Sequence, residues 1–167
     1  MSDSARAQLA LAPGPLRGVA AGALAGAGAA LVAMAAVEVW QVFTRYVLDS
    51  PTAWTEPLAL LLLKIALMLA AAVAVRSETH FRFVLGAEAV GARARAAFEA
   101  LARLATAAIG LAFAVSSARL MLATWSTKTP GLALPDGLYY APFLGGGVLF
   151  VLFALERLSR GSAADTE

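Results

Sequence analysis

Cysteine is absent from the 167 residues, and histidine occurs once, as His80. The first absence excludes a disulfide framework, a thiol nucleophile and a thiolate metal site. The second argues against a bis-histidine haem or a histidine-rich metal cluster. Charge is also scarce. Only 14% of the residues are Asp, Glu, Lys or Arg, with a net charge of +2, and the basic residues are scattered among apolar runs. That pattern gives no footing for nucleic acid. No Ser-His-Asp order, phosphate-cradling glycine loop or recognisable carboxylate pair is present, so the residues point away from an enzyme. His80, without a second histidine or an acidic cluster beside it, reads as a hydrogen-bonding residue.

Apolar residues are abundant: 60% of the chain, with a mean hydropathy of +0.76. Soluble domains average roughly 45–50% apolar and about 25% charged. The excess is gathered into four blocks, and a helix needs about 20 apolar residues to cross a bilayer. Gly18 to Val42 has Glu38 as its only charge. Its competing reading is a signal peptide, with Arg6 and Arg17 ahead of an apolar region. However, a signal core is typically about 7–15 residues, and this run is longer. Within it Gly18, Gly22 and Gly26 recur every fourth residue, a spacing that lets helices approach closely or simply reflects an Ala/Gly-rich stretch.

Pro57 to Val75 is the second block, with Lys64 as its one charge. Its Leu, Ile and Val residues, at about −0.3 to −0.6 kcal/mol each, outweigh roughly +3 for a central lysine. Asp49-Ser50-Pro51 and Thr55-Glu56-Pro57 both carry helix-start chemistry, a capping side chain followed by proline, and both starts stay open. Leu104 to Leu122 and Leu138 to Leu155 complete the set.

The expected fold is therefore an all-α integral membrane protein. Its spans run over about 18–42, 54–75, 101–122 and 138–157, within a membrane domain 16–158 flanked by polar tails 1–15 and 159–167. The connection between the second and third spans mixes Phe81, Phe83, Val84 and Leu85 with Arg76, His80 and Arg82, which suits a short helix lying at the lipid surface. From Glu88 to Leu122 there is no proline, so one continuous helix is allowed.

Four spans place both termini on one side. Arg6, Arg17, Arg76, Arg82, Arg93, Arg95, Arg157 and Arg160 fall on that side, against Arg45 and Lys128 in the other loops. The positive-inside bias makes the first side cytoplasmic. Trp40, Trp54, Trp125, Tyr139 and Tyr140 then lie near the outer boundary.

Glu38, Gln41 and Arg45 share a helix face. An ionisable residue within a span is a functional hypothesis by default, and its bland counterpart is a polar contact that fixes packing. A Glu38–Lys64 ion pair between neighbouring antiparallel spans is one expectation. Snorkelling of Lys64 or its pairing with a partner subunit is the other.

Several pieces, in order, resemble the small membrane subunit (DctQ-like) of tripartite ATP-independent periplasmic (TRAP) transporters. They are Val42-Phe43-Thr44-Arg45-Tyr46, Trp54-Thr55-Glu56, Ala74-Val75-Arg76 and His80-Phe81-Arg82. Thr129-Pro130-Gly131-Leu132, leading through Pro135 to Tyr139 and Tyr140, is similar to the family's approach to its last helix. The likeness covers about Val19 to Leu158. Pro57 stands where the family pattern has a second acidic residue.

The resemblance implies a multi-pass protein of the bacterial inner membrane, without cofactor or catalysis of its own. It implies a large TRAP membrane subunit that holds the sodium and substrate sites and a periplasmic substrate-binding protein that delivers an organic acid. The small subunit then acts as scaffold and docking surface, with membrane lipids around it. On that reading Arg45, Asp49, Trp54 and Glu56 lie at the outer surface, Lys64 lies on the span facing the large subunit, and Arg76, His80 and Arg82 lie at the cytoplasmic lipid surface. The alternative is a self-sufficient small proton-coupled carrier acting as a homo-oligomer, with Glu38 as its carboxylate. A membrane enzyme or redox subunit would need clustered polar groups or a cofactor, for which the residues offer little.

Overall fold

A computed structural model describes residues 14–76 and 92–164. Every regular element among them is helical, apart from one isolated bridge between Lys128 and Pro135. The elements are α1 (Arg17–Tyr46), α2 (Thr55–Arg76), α3 (Ala92–Ala123), a 3₁₀ turn (Asp136–Tyr140) and α4 (Ala141–Ala164). Four stretches are long and apolar enough to cross a membrane: Arg17–Tyr46, Thr55–Arg76, Leu101–Ala123 and Asp136–Glu156. The expected surface helix between α2 and α3 falls largely on residues 77–91 and lies outside the described residues.

Of the two candidate starts for the second helix, Thr55 is the one used. Pro57 then sits in the first turn, where a missing N–H costs nothing. Thr55 Oγ1 donates to the Thr52 carbonyl at 2.9 Å, which stiffens the approach. Pro142 occupies the matching place at the start of α4. This helix runs on to Ala164, into the polar tail expected over 159–167. Arg, Glu, Ser and Ala permit helix as readily as apolar residues do, so polarity marked a change of solvent and not a helix end.

The helices pack side by side in the order α1–α2–α4–α3. On α1 the inward positions are Ala20, Ala23, Ala27, Ala30, Met34, Val37, Gln41 and Thr44, all buried or half-buried. They alternate three and four residues apart, the seam of a left-handed antiparallel pair. Gly26 fits Leu69 at one end of this seam, and Thr44 meets Thr52 at the other. Gly18 and Gly22 face open space. Alanine, with only Gly26 from the glycine stripe, therefore forms the α1–α2 contact.

Glycine decides a different contact. A methyl on Gly147 would lie 2.6 Å from the Gly110 carbonyl oxygen and 2.7 Å from the Ala114 nitrogen. Helices α3 and α4 thus touch backbone to backbone, and Phe113 stacks on Phe143 nearby with ring centroids 6.2 Å apart. Gly146 points the other way, onto Met68 of α2. Consecutive glycines so let α4 approach a neighbour on each side, which is why it occupies an inner place in the row.

At one end of the row the two outer turns interlock. Gly131 adopts φ 84°, and a methyl there would sit 2.2 Å from the Ala53 carbonyl oxygen. The bridge Lys128–Pro135 and the bonds Thr129 N to Leu134 O (2.8 Å) and Asp136 N to Thr127 O (2.8 Å) shape this loop.

Gly147→Ala should lower stability in detergent by about 1–3 kcal/mol, the usual cost of overpacking. Gly22→Ala, with open space around it, should be neutral or stabilising by up to ~1 kcal/mol through helix propensity. Thermal melts of the two variants check this, and equal melting temperatures would contradict the packing.

Candidate functional site

At the end of the bundle away from the two interlocked turns, three helices meet at one ion pair. Arg76, the last residue of α2, donates from Nε to Glu156 Oε2 at 2.9 Å and from Nη2 to Oε1 at 3.3 Å. Both side chains are 3% exposed. The Leu16 backbone N–H donates to the same Oε1 at 3.2 Å. Leu16 caps α1 without any side-chain hydrogen bond of its own, so a carboxylate from α4 supplies the missing acceptor. The placement also suits the helix dipoles, with a cation at the C-terminus of α2 and an anion at the N-terminus of α1. Ala20, Ala72, Val75 and Phe153 form a buried cluster against which Leu16 packs.

This revises the expectation for Arg76. It does not anchor at the lipid surface; it is buried and neutralised. Glu156 went unnoticed as its partner. The available signal was that each charge ends an apolar run on the side to which both termini were assigned. His80 and Arg82 lie outside the described residues.

The mid-membrane lysine is also satisfied internally. Lys64 Nζ sits 4.6 Å from the centroid of the Tyr139 ring, a cation–π contact. Tyr139 donates its hydroxyl to the Pro57 carbonyl at 2.7 Å, which holds the ring in place. The expected Glu38–Lys64 pair does not form. The seam register explains this: Lys64 lies about six residues, or ~9 Å, further in than the α2 position opposite Glu38. Glu38 moreover points out of the bundle.

The turn that joins α1 to α2 gathers the remaining candidates. Thr44 and Thr55 are fully buried, and their hydroxyls bracket Thr52, at 3.5 Å from Thr44 Oγ1 and 3.4 Å from Thr55 Oγ1. Asp49 makes the tight corner at φ 47°, and the Ser50 N–H returns to the Thr44 carbonyl at 3.1 Å. Arg45, Asp49, Trp54 and Glu56 are exposed around this core. Gln41, Arg45, Thr52 and Glu56 line a small polar recess of about 150 Å³. Gln41 Oε1 is buried there with no hydrogen-bond donor. Glu38, Gln41 and Arg45 therefore do not form one uniform face: Gln41 lies in the seam, and the two charges flank it.

Among the described residues, no three His, Asp or Glu side chains gather as metal ligands. The site has the character of a set of surfaces held by internal ties. Residues 34–164 match the family described as tripartite ATP-independent periplasmic transporters, DctQ component. The chain belongs to this family. It is also 31% identical over 65 residues to the sialic acid TRAP transporter small permease protein SiaQ of Vibrio cholerae. That alignment takes in 39% of this chain and only 38% of the relative. The family match and the four apolar helices make the chain a TRAP small subunit, a multi-pass membrane protein and a transporter component. The DctQ match spans the outer turn, Arg76 and Glu156 alike, so the ion pair and the hydroxyl cluster both belong to the family region.

Removing one partner of a buried ion pair typically costs about 3–5 kcal/mol, whereas replacing both by apolar groups is often neutral. Arg76→Met and Glu156→Leu should each destabilise the purified subunit strongly, and the double variant should regain most of the loss. A double-mutant cycle on melting in detergent measures the coupling; additive losses would argue against it. Separately, Tyr139→Phe should lose about 1 kcal/mol, one hydrogen bond, while Tyr139→Leu should lose more because the lysine loses its ring as well.

Proposed function

We propose that this chain is the small permease subunit of a TRAP transporter. It supports the large transport subunit in the inner membrane and helps dock a periplasmic substrate-binding protein during sodium-driven uptake of organic acids. The observation that carries this reading is the family match over residues 34–164. The internal chemistry agrees with it. Arg76, Glu156 and Lys64 hold the helices together, and among the described residues no three His, Asp or Glu side chains gather as a candidate metal site. Those sites belong to the large subunit, and this chain carries neither cofactor nor catalysis.

Orientation follows from the basic residues, with both termini cytoplasmic. The turn carrying Arg45, Asp49, Trp54 and Glu56 and the loop carrying Lys128 then face the periplasm, where a binding protein arrives. The relative's name refers to sialic acid, itself an organic acid. This agrees with the substrate class without selecting a member of it.

The chain expressed with a large TRAP subunit should co-purify with it from solubilised membranes. Proteoliposomes should take up an organic acid under a sodium gradient only when both chains and the binding protein are present. Uptake by the small chain alone, abolished by Glu38→Gln, would instead establish a self-sufficient proton-coupled carrier.

A further inference from the structure

The recess at the α1–α2 turn carries charge of both signs. Arg45, in the last turn of α1, and Glu56, in the first turn of α2, line it together with Gln41 and Thr52. Both are exposed, and neither side chain makes an ion pair or hydrogen bond with another described residue. A cavity of about 150 Å³ admits a short polar arm, whereas a helix with its side chains is about 10–12 Å across. The recess lies where two spans end, the level at which headgroups replace hydrocarbon.

From Glu56 an apolar track leads into the membrane. Leu60, Leu63 and Leu67 are exposed and follow Glu56 at steps of four, three and four residues, so all four share one face of α2. On α1, Glu38 is exposed two turns inward from Arg45, on the same flank. The flank thus holds one guanidinium against two carboxylates. Arg119, an exposed cation on α3, stands at the opposite end of the row α1–α2–α4–α3 and leaves this balance unchanged.

We infer that this recess binds the headgroup of an aminophospholipid such as phosphatidylethanolamine, taken from the leaflet on the side of the α1–α2 turn. With both termini cytoplasmic, as proposed above, that leaflet is the periplasmic one. The phosphate accepts from the Arg45 guanidinium, a charge-assisted pair. The primary ammonium enters the recess and donates to the Glu56 carboxylate. The acyl chains lie along Leu60, Leu63 and Leu67. Charge selects this headgroup among lipids. Phosphatidylglycerol brings an anion and no cation to a flank that already holds an excess of carboxylate, and like charges at a contact repel. Phosphatidylcholine has the phosphate, but its quaternary nitrogen has no N–H to donate.

The test offers the purified full-length chain phosphatidylethanolamine, phosphatidylcholine and phosphatidylglycerol with identical acyl chains, and reads the lipid retained by native mass spectrometry. Phosphatidylethanolamine should be retained about tenfold more than either of the others, the worth of one hydrogen bond between charged groups. Glu56→Gln should lower its retention to the phosphatidylcholine level and leave phosphatidylcholine unchanged. Arg45→Gln should lower both, because both carry the phosphate. The two side chains are exposed, so each variant should melt like the unmodified chain. Equal retention of the three lipids overturns the inference, as does a preference for phosphatidylethanolamine that survives Glu56→Gln. The same preference is expected in the complex co-expressed with the large subunit. Loss of that subunit from Glu56→Gln with lipid retention unchanged would assign the recess to a protein contact and overturn the inference as well.

Discussion

The Arg76–Glu156 pair is the constraint on which the remaining inner architecture depends. Two opposite charges, each at the end of an apolar run, are brought to the same level and removed from solvent. Their burial forces α2 and α4 to be neighbours at that end. The spare acceptor capacity of Glu156 then takes the Leu16 N–H, which fixes where α1 begins. Apolar packing cannot impose this alone, because in a bilayer one hydrocarbon surface is nearly as good as another. A buried charge is satisfied by very few arrangements, so it supplies the specificity that dispersion lacks.

The rest of the fold uses close backbone approach. Gly147 meets Gly110 across α3–α4, and an alanine seam joins α1 to α2. Polar groups then close the outer end: threonine hydroxyls at the first turn, and a Thr129–Asp136 hydrogen bond in the second loop. Lys64 and Tyr139 tie the middle. Each joint is polar or backbone-limited and spends little apolar surface. That economy leaves long stretches of α1 and α3 uncovered.

Much of this was legible in the residues. Run lengths gave four membrane-spanning helices, and the ordered pieces around Arg45, Trp54 and Arg76 gave the family. Pairings were less legible, for two reasons. Lys64 and Glu38 look matched in depth when each is measured from its own helix end, but the seam register separates them by about two turns. Glu156, at the end of the last span, drew no pairing, because composition reports solvent and says nothing of what a buried carboxylate faces. Likewise, the regular spacing of Gly18, Gly22 and Gly26 allowed a contact face, yet only Gly26 meets a neighbour, whereas Gly147, in a run of three glycines, meets Gly110 of another helix, a pairing no spacing within one helix reveals.

The missing side chain at Gly131 has a mechanical consequence. It lets the backbone of the second outer loop rest on the Ala53 carbonyl of the first. The first loop joins α1 to α2, and the second joins α3 to α4. The two helical hairpins are therefore joined at this end by a backbone contact between their loops. A side chain at Gly131 would have to push the two loops apart, and with them the ends of both hairpins.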